Sequence, residues 1–339
     1  MESSYKLPAI SYKLLFITQK LHEQDAFSVL WINELRKQGF EVTVLCLEDR
    51  APPQPFPIHS MGKEKGYGHF RQIWEFWKGI LTLRYDRVFV HMSPLWGMLG
   101  AWWWIPARKP TYLWYTHYKL SPSMWVTGLY AKRMFCATSQ SLPQYEGSPR
   151  KVVVGHGIDL HVWPKRPNLN RHSHELLVVH RLSRSKRLEL SIRALTLLPS
   201  NYTLTVYGIE AEPDYVRELH QLVRDLKLQD RVLFKGTTPM STLPDIYSHH
   251  KFILNMASET IDKTMLEAMT CGCYPVTTKR NAEAIGITQA PAEDSAQAIA
   301  DFVLRFQGAD ADKLYEVVEK NHSLEGLVGR MGIYIREGK

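Results

Sequence analysis

Cysteine is scarce in this sequence: Cys46, Cys136, Cys271 and Cys273 are the four in 339 residues. Only the last two are neighbours, and C-x-C is not the C-x-x-C of a zinc knuckle or a redox pair, so buried free thiols in a reducing compartment are expected. Long apolar runs are also missing. A spanning helix needs about 18 uninterrupted apolar residues, and the best segment, PLWGMLGAWWWIP at 94–106, is too short. The opening MESSYKLPAISYKLLFITQ has no basic region followed by a long apolar core and a small-residue cleavage site, so no secretory signal is expected. The expected location is the cytoplasm, extending to the inner face of the membrane. There is no internal repeat or low-complexity segment. A zinc finger, an aromatic-basic RNA-binding signature and a concentrated Lys/Arg block are all lacking, which argues against a nucleic-acid partner.

What is present is an ordinary globular composition, 45% hydrophobic and 22% charged, in a chain long enough for two domains. Lys and Arg number 42 against 34 Asp and Glu, a net charge of +8 that favours anionic partners such as a diphosphate or an anionic lipid. Strand-like runs at 14–17, 42–47, 88–90, 112–115 and 152–154 alternate with helical periodicity at 27–38, 73–83 and 94–104. The pattern then restarts, with strands at 176–179, 204–207, 232–234, 252–254 and 274–276, and helices near 186–198, 213–227, 241–248 and 263–271. Such alternation indicates parallel sheets with crossover helices, hence an α/β chain of two Rossmann-like domains. The expected divisions are 1–160, 161–320 and a terminal segment 321–339, with a linker in the Pro- and Asn-rich stretch 163–174. Ligand is expected in a cleft, outside the carboxyl ends of the strands.

Residues 251–278, KFILNMASETIDKTMLEAMTCGCYPVTT, carry the most chemistry. An apolar run leads to Glu259, a polar turn comes next, and a helix from about Lys263 carries Glu267. The first turn of such a helix leaves amides without intrahelical partners, and these attract anionic oxygens. Asp262 is the expected N-cap. Carboxylates on either side of the turn suit the vicinal hydroxyls of a ligand that is part phosphate and part polyol. A nucleotide-sugar fits that description.

Glu259 and Glu267, with seven residues between them and Ala268-Met269 and Gly272-Cys273-Tyr274-Pro275-Val276 after them, resemble the E-x7-E signature of retaining glycosyltransferases of the GT-B fold, the group 1 family. The resemblance implies that Glu267 binds ribose hydroxyls and Glu259 the hydroxyls of the transferred sugar, with the amides of Ile261, Asp262 and Lys263 near the phosphates. Thr260-Ile261-Asp262 stands where the family commonly has G-F-G. Lys263 is read as a local counter-charge for Asp262.

His180-Arg181-Leu182-Ser183-Arg184-Ser185-Lys186-Arg187 resembles the family's G-R-L-x-x-x-K-G segment, which implies that Arg181 and Lys186 hold the donor diphosphate. A guanidinium makes paired hydrogen bonds to phosphate, and an ammonium adds a compact charge against the leaving group. His180 and Arg187 replace glycines of the pattern; His180 either crowds the diphosphate or adds a donor to it. Arg184 and Arg187 are read as a solvated helix face. Gly155-His156-Gly157-Ile158-Asp159 resembles the family's interdomain hinge, read as a tight turn with Asp159 capping the next one.

In the first domain His117 lies just past a strand, where family members commonly have a histidine at the donor sugar; the resemblance makes it a catalytic residue together with Arg181, Lys186 and Glu259. After the first strand, where many relatives have two glycines, the chain reads Gln19 to Asp25. Gln24 and Asp25 are the acceptor-side candidates. Asp310-Ala311-Asp312 begins a late helix, where acids are favourable without a metal, so no metal or other cofactor is expected. Trp102, Trp103 and Trp104, with Trp96, Trp114 and Trp125, give either a peripheral membrane contact through 96–125 or a sheet-facing helix with one or two exposed indoles.

The function implied is metal-independent, retaining transfer of a sugar, most simply a hexose, from a nucleotide-sugar to a glycan or lipid-linked acceptor in polysaccharide biosynthesis. The alternatives on the same architecture are a nucleotide-sugar epimerase, a glycan phosphorylase and a non-catalytic nucleotide-binding scaffold.

Overall fold

The computed structural model describes residues 12–22, 26–117, 120–166, 171–258 and 261–338. Two compact units divide the chain, one made of Met1–Gly157 with Leu324–Lys339 and the other of Ile158–Ser323.

The first unit begins β1 (Tyr12–His22), α1 (Ala26–Lys37), β2 (Phe40–Arg50), β3 (Ile58–Ser60), α2 (His69–Thr82), β4 (Arg87–His91) and α3 (Pro94–Trp104). It continues with β5 (Thr111–Trp114), α4 (Pro122–Tyr130), β6 (Arg133–Cys136) and β7 (Lys151–Val153). Among the described residues these strands form one parallel sheet, ordered β3-β2-β1-β4-β5-β6-β7. Side chains alternate across a strand, and the alternation assigns the helices to faces. Leu15, Ile17, Val88, Val90 and Leu113 share a core with Phe76 and Ile80 of α2, Trp96 and Trp104 of α3, and Met124 of α4. Leu14, Phe16, Phe89, Tyr112 and Trp114 point the other way, onto Trp31, Ile32 and Leu35 of α1. Both faces are covered, which is why these parallel strands read as almost unbroken apolar runs.

The second unit contains β8 (His172–Val179), α5 (Leu188–Leu195), β9 (Thr203–Tyr207), α6 (Pro213–Asp225), β10 (Val232–Gly236), α7 (Leu243–His249) and β11 (His250–Asn255). After these come α8 (Lys263–Thr270), β12 (Tyr274–Thr277), α9 (Lys279–Ile285), α10 (Ala296–Arg305) and α11 (Ala311–His322). Its parallel sheet is ordered β10-β9-β8-β11-β12, so the strand order reverses between β8 and β11. The last helix, α12 (Leu324–Glu337), belongs to the first unit and adds Leu327, Val328, Met331 and Ile335 to the core around Trp31.

Three local expectations change. The passage between units falls at Gly157 and Ile158, ahead of the 163–174 stretch, because Trp163 is buried in the second core and lies 5.9 Å from the Tyr247 ring. Gly155 and Gly157 have φ of 90° and 74°, and a Cβ on Gly157 would stand 3.0 Å from Trp31 Nε1, so the turn needs glycine there. Asp159 does cap the next turn, accepting from the His161 amide at 2.9 Å. Second, the segment from Gln19 is not a loop. β1 runs on to His22, paired with an equally long β2 as Lys20↔Glu48, Leu21↔Asp49 and His22↔Arg50. The extension is held at Glu48, whose buried carboxylate meets Arg50 at 2.9 Å, Lys63 at 3.4 Å and His22 at 3.6 Å. Gln24 and Asp25 lie outside the described residues. Third, the expected strands missed β3 and β6, which are three and four residues long.

All four cysteines are free and buried. No described helix is long and apolar enough to cross a membrane.

Candidate functional site

In an open parallel sheet the loops leaving two neighbouring strands diverge where the strand order reverses, and a crevice opens at their carboxyl ends. In the second unit that point lies between β8 and β11. The loop after β8 carries His180, Arg181 and Lys186; the loop after β11 leads to Ile261, Asp262 and α8. The two loops touch through the Ser258 amide, which donates to the Ser185 carbonyl at 3.4 Å. Lys186 and Asp262, 76 residues apart in sequence, are thus gathered past the carboxyl ends of two neighbouring strands.

Lys186 is buried, and its ammonium lies 2.5 Å from Asp262 Oδ1. Asp262 Oδ2 accepts from Asn255 Nδ2 at 2.7 Å, so the carboxylate is held from both sides. Asn255 ends β11 and is itself fixed: its Oδ1 accepts from the Ala257 amide at 3.2 Å, and its carbonyl accepts from Thr277 Oγ1 at 2.6 Å. These bonds correct two expectations. Asp262 occupies the N-cap position of α8 but its side chain makes no capping bond, and its counter-charge is Lys186 rather than Lys263. The physical reason is competition, since a buried ammonium gains more from a carboxylate than an exposed helix end does.

The Asp262 side chain thus makes no bond to the first turn of α8, and first-turn amides of a helix have no carbonyl within the helix to meet. The backbone bond that closes the turn runs from the Met265 amide to the Asp262 carbonyl at 3.2 Å. The Thr264 hydroxyl, also buried, has no hydrogen-bond partner among the described residues. Ile261 packs its side chain on the core of the unit. Arg181 is exposed. An exposed guanidinium, a buried ammonium and helix-end donors therefore lie within one loop cluster, an arrangement suited to phosphate oxygens.

Glu267 sits one turn into α8. Burial pushes its carboxyl up to about 7, Lys263 four residues before it pulls the other way, and Asp262 raises it further. Lys263 thus serves Glu267. Beneath them Tyr247 is wholly buried, its phenol raised well above the usual range by burial and by Glu267. His180 is buried as well. Burial lowers its imidazole to about 4 against the opposing pull of Asp262, so at neutral pH it is uncharged, and its Nδ1 stands 3.0 Å from the Arg181 carbonyl. It adds no cation to the site.

The positions around Lys186 divide differently from expectation. Arg184 is exposed and pairs with Glu218 at 2.5 Å. Arg187 is not part of a solvated face: Nε donates to the Met256 carbonyl at 2.7 Å and a terminal nitrogen meets Asp294 at 2.8 Å. Its φ is 51°, in the left-handed region, where glycine carries no steric penalty.

Glu259 lies outside the described residues. His117 belongs to the first unit, three residues past β5; it is exposed and lies edge-on to Tyr115 at 5.3 Å. The acids at the late helix are engaged locally, Asp310 accepting from the Asp312 amide at 2.9 Å and Asp312 pairing with Lys165 at 3.0 Å. Sequence reasoning missed Asn255 and Thr264. The only signal for Asn255 is a polar residue closing the apolar run FIL; Thr264 had none.

Residues 161–288, within the second unit, match the family model described as glycosyl transferases group 1. No curated protein sequence matches the chain. Among solved structures, HepE of Anabaena in complex with UDP and glucose is similar at 18% identity and a TM-score of 0.76, covering 96% of this chain and 100% of its own. A glycosyltransferase from Rickettsia africae is similar at 14% identity and a TM-score of 0.72, covering 97% and 98%. Sucrose-phosphate synthase of Thermosynechococcus elongatus gives 17%, 0.71, 96% and 98%. At these identities the likeness is one of fold, and the fold is GT-B.

Proposed function

We propose that this chain, which carries a glycosyltransferase group 1 domain on a GT-B fold, is a retaining enzyme that transfers a sugar from a nucleoside diphosphate-sugar to an acceptor hydroxyl without a metal. The observation that carries the reading is the cluster of Arg181, Lys186 and the α8 amides at the carboxyl ends of β8 and β11. UDP is the favoured nucleotide, because HepE holds UDP on the same fold. Glu267 accepts hydrogen bonds from the ribose, Glu259 from the transferred sugar, and His117 contacts that sugar from the first unit. The acceptor is a glycan or a lipid-linked sugar, met at a membrane that the Trp-rich region 96–125 touches.

In the step proposed, the acceptor oxygen bonds to the anomeric carbon on the face from which the diphosphate departs. The bond from that carbon to the phosphate oxygen breaks, and the departing oxygen takes the acceptor's proton. Arg181 and Lys186 stabilise the charge that collects on the diphosphate, the role a metal ion plays elsewhere. The reaction then needs no dedicated base.

The test is to follow release of UDP from UDP-sugars with and without glycan and lipid-linked acceptors, and to read the product's anomeric configuration by proton NMR. Acceptor-dependent release with retention is expected. Conversion of the sugar without any acceptor would favour an epimerase, a requirement for free phosphate a phosphorylase, and UDP binding with no turnover a scaffold.

A further inference from the structure

We propose that the outer surface of the α2, α3 and α4 layer docks into the interface of an anionic lipid bilayer, with α2 as its leading edge. The inference deepens the membrane contact just proposed, and nothing in it depends on the donor site.

α2 is apolar on two sides. Gln72, Phe76 and Ile80 are buried toward the sheet. Phe70, Trp74, Trp77 and Leu81, spaced four, three and four residues apart, form a second stripe that a helix aligns on one side. Phe70 is 92% and Trp74 65% exposed. That stripe passes into α3, where Trp77 meets the Trp102 ring edge-on at 6.2 Å and its Nε1 donates to the Leu99 carbonyl at 3.1 Å. α3 in turn is tied to α4, with Thr127 Oγ1 donating to the Pro94 carbonyl at 2.9 Å and the Tyr130 hydroxyl to Gly97 at 2.5 Å. The outward residues of these two helices include Trp102, Trp125 and Leu129, all more than half exposed.

Single exposed leucines are normal on a protein surface, whereas neighbouring exposed aromatics on three packed helices are not. Phe70, Trp74, Trp102 and Trp125 are the only Phe and Trp side chains more than half exposed among the described residues, and all belong to this layer.

Charge identifies what covers the face. Residues 69–133 contain nine Lys and Arg but two Asp and Glu; the remainder of the chain contains 33 against 32. Of the nine, Arg87 and Arg133 turn to Arg336 and Tyr334 of α12, which leaves seven cations against two acids in the segment, most of the positive excess of the whole protein. Arg71, Lys78, Arg84, Arg108 and Lys132 are exposed there. A second copy would bring two surfaces of the same sign together; single-stranded nucleic acid stacks on exposed rings, but the aliphatic Leu81, Leu95, Ile105 and Leu129 exposed beside them give it nothing to stack on. A lipid interface satisfies both features, since indoles and phenyl rings settle at headgroup depth while Lys and Arg meet anionic headgroups.

Flotation of the full chain with vesicles tests this, using phosphatidylcholine alone and phosphatidylcholine in which a third of the lipid is phosphatidylglycerol. The wild type is expected to float with the anionic vesicles and at least tenfold more weakly with the neutral ones. Phe70→Ser with Trp74→Ser, and separately Arg71→Glu with Lys78→Glu, are each expected to weaken flotation at least tenfold while the thermal shift given by UDP is unchanged. Absence of flotation, or flotation of both variants like the wild type, would overturn the proposal. So would a dimer, seen by light scattering, that the aromatic substitutions dissolve. A protein that floats but binds no nucleotide would support this inference and refute the donor-site reading.

Discussion

The Lys186 ammonium and the Asp262 carboxylate, 76 residues apart in sequence, meet at 2.5 Å at the carboxyl ends of β8 and β11. On the donor site proposed above, this chain places an acid on the cation that a diphosphate would use. A donor must therefore displace Asp262 from Lys186, or bind with that carboxylate still beside it and lose part of the attraction.

Replacing Asp262 by asparagine keeps a side chain for Asn255 and leaves the ammonium uncompensated until phosphate arrives. UDP should bind Asp262→Asn about three- to tenfold more tightly than the wild type, equivalent to roughly 0.7–1.4 kcal/mol. Isothermal calorimetry reads this directly. Weaker binding would mean that Asp262 positions Lys186 rather than competing for it.

Removing the cation has the opposite consequence for the free protein. Lys186→Ala leaves Asp262 partly buried with Asn255 as its remaining partner, and breaking such a pair from one side costs on the order of 3 kcal/mol. The double variant Lys186→Ala, Asp262→Asn should recover part of that loss in urea denaturation. Additive losses would show that the two groups do not interact.

Glu267 makes pH an experimental variable. Its folded value near 7 lies above the ordinary carboxylate range, so between about 4.5 and 7 the folded chain holds a proton that the unfolded chain has released. Its contribution to stability is complete below the unfolded value and disappears as pH rises through about 7, amounting to up to about 3 kcal/mol. The difference in denaturation midpoint between wild type and Glu267→Gln should accordingly change between pH 5 and pH 8, against the wild type at the higher pH. Nucleotide binding should run the other way: on the ribose contact proposed for Glu267 the ionised carboxylate would accept from both hydroxyls, so UDP affinity should increase from pH 6 to pH 8 and lose that slope in Glu267→Gln.

Tyr247 has a buried hydroxyl with no hydrogen-bond partner among the described residues. An unpaired buried hydroxyl costs about 1–3 kcal/mol, so Tyr247→Phe should raise stability by roughly 1 kcal/mol. A loss of similar size in thermal unfolding would reveal a partner for the phenol.

The sequence made the α/β alternation legible because buried parallel strands leave short apolar runs, and α3 could be bounded as 94–104 because Pro94 opens it. The start of α8 at Lys263 was equally readable from the polar turn before it. Other features depended on neighbours that local patterns do not contain. The direction of the Asp262 carboxylate is decided by Lys186 and Asn255, and the extension of β1 by a partner strand with Glu48 at its end. The second stripe of α2 stayed hidden because periodicity gives the spacing of apolar residues, while the sheet decides which side it covers. Arg187 looked like a surface cation until its positive φ and its bonds to Met256 and Asp294 were visible.

The donor site is tested most directly by thermal unfolding in the presence of UDP, GDP, ADP and their sugars, with phosphate and NAD as controls, on wild type and Arg181→Ala. Ligand at a hundred times its dissociation constant adds about 2.7 kcal/mol, a readable shift. The account predicts stabilisation by UDP and UDP-sugars that is lost in Arg181→Ala. No shift with any nucleotide, or an equal shift in Arg181→Ala, would contradict it.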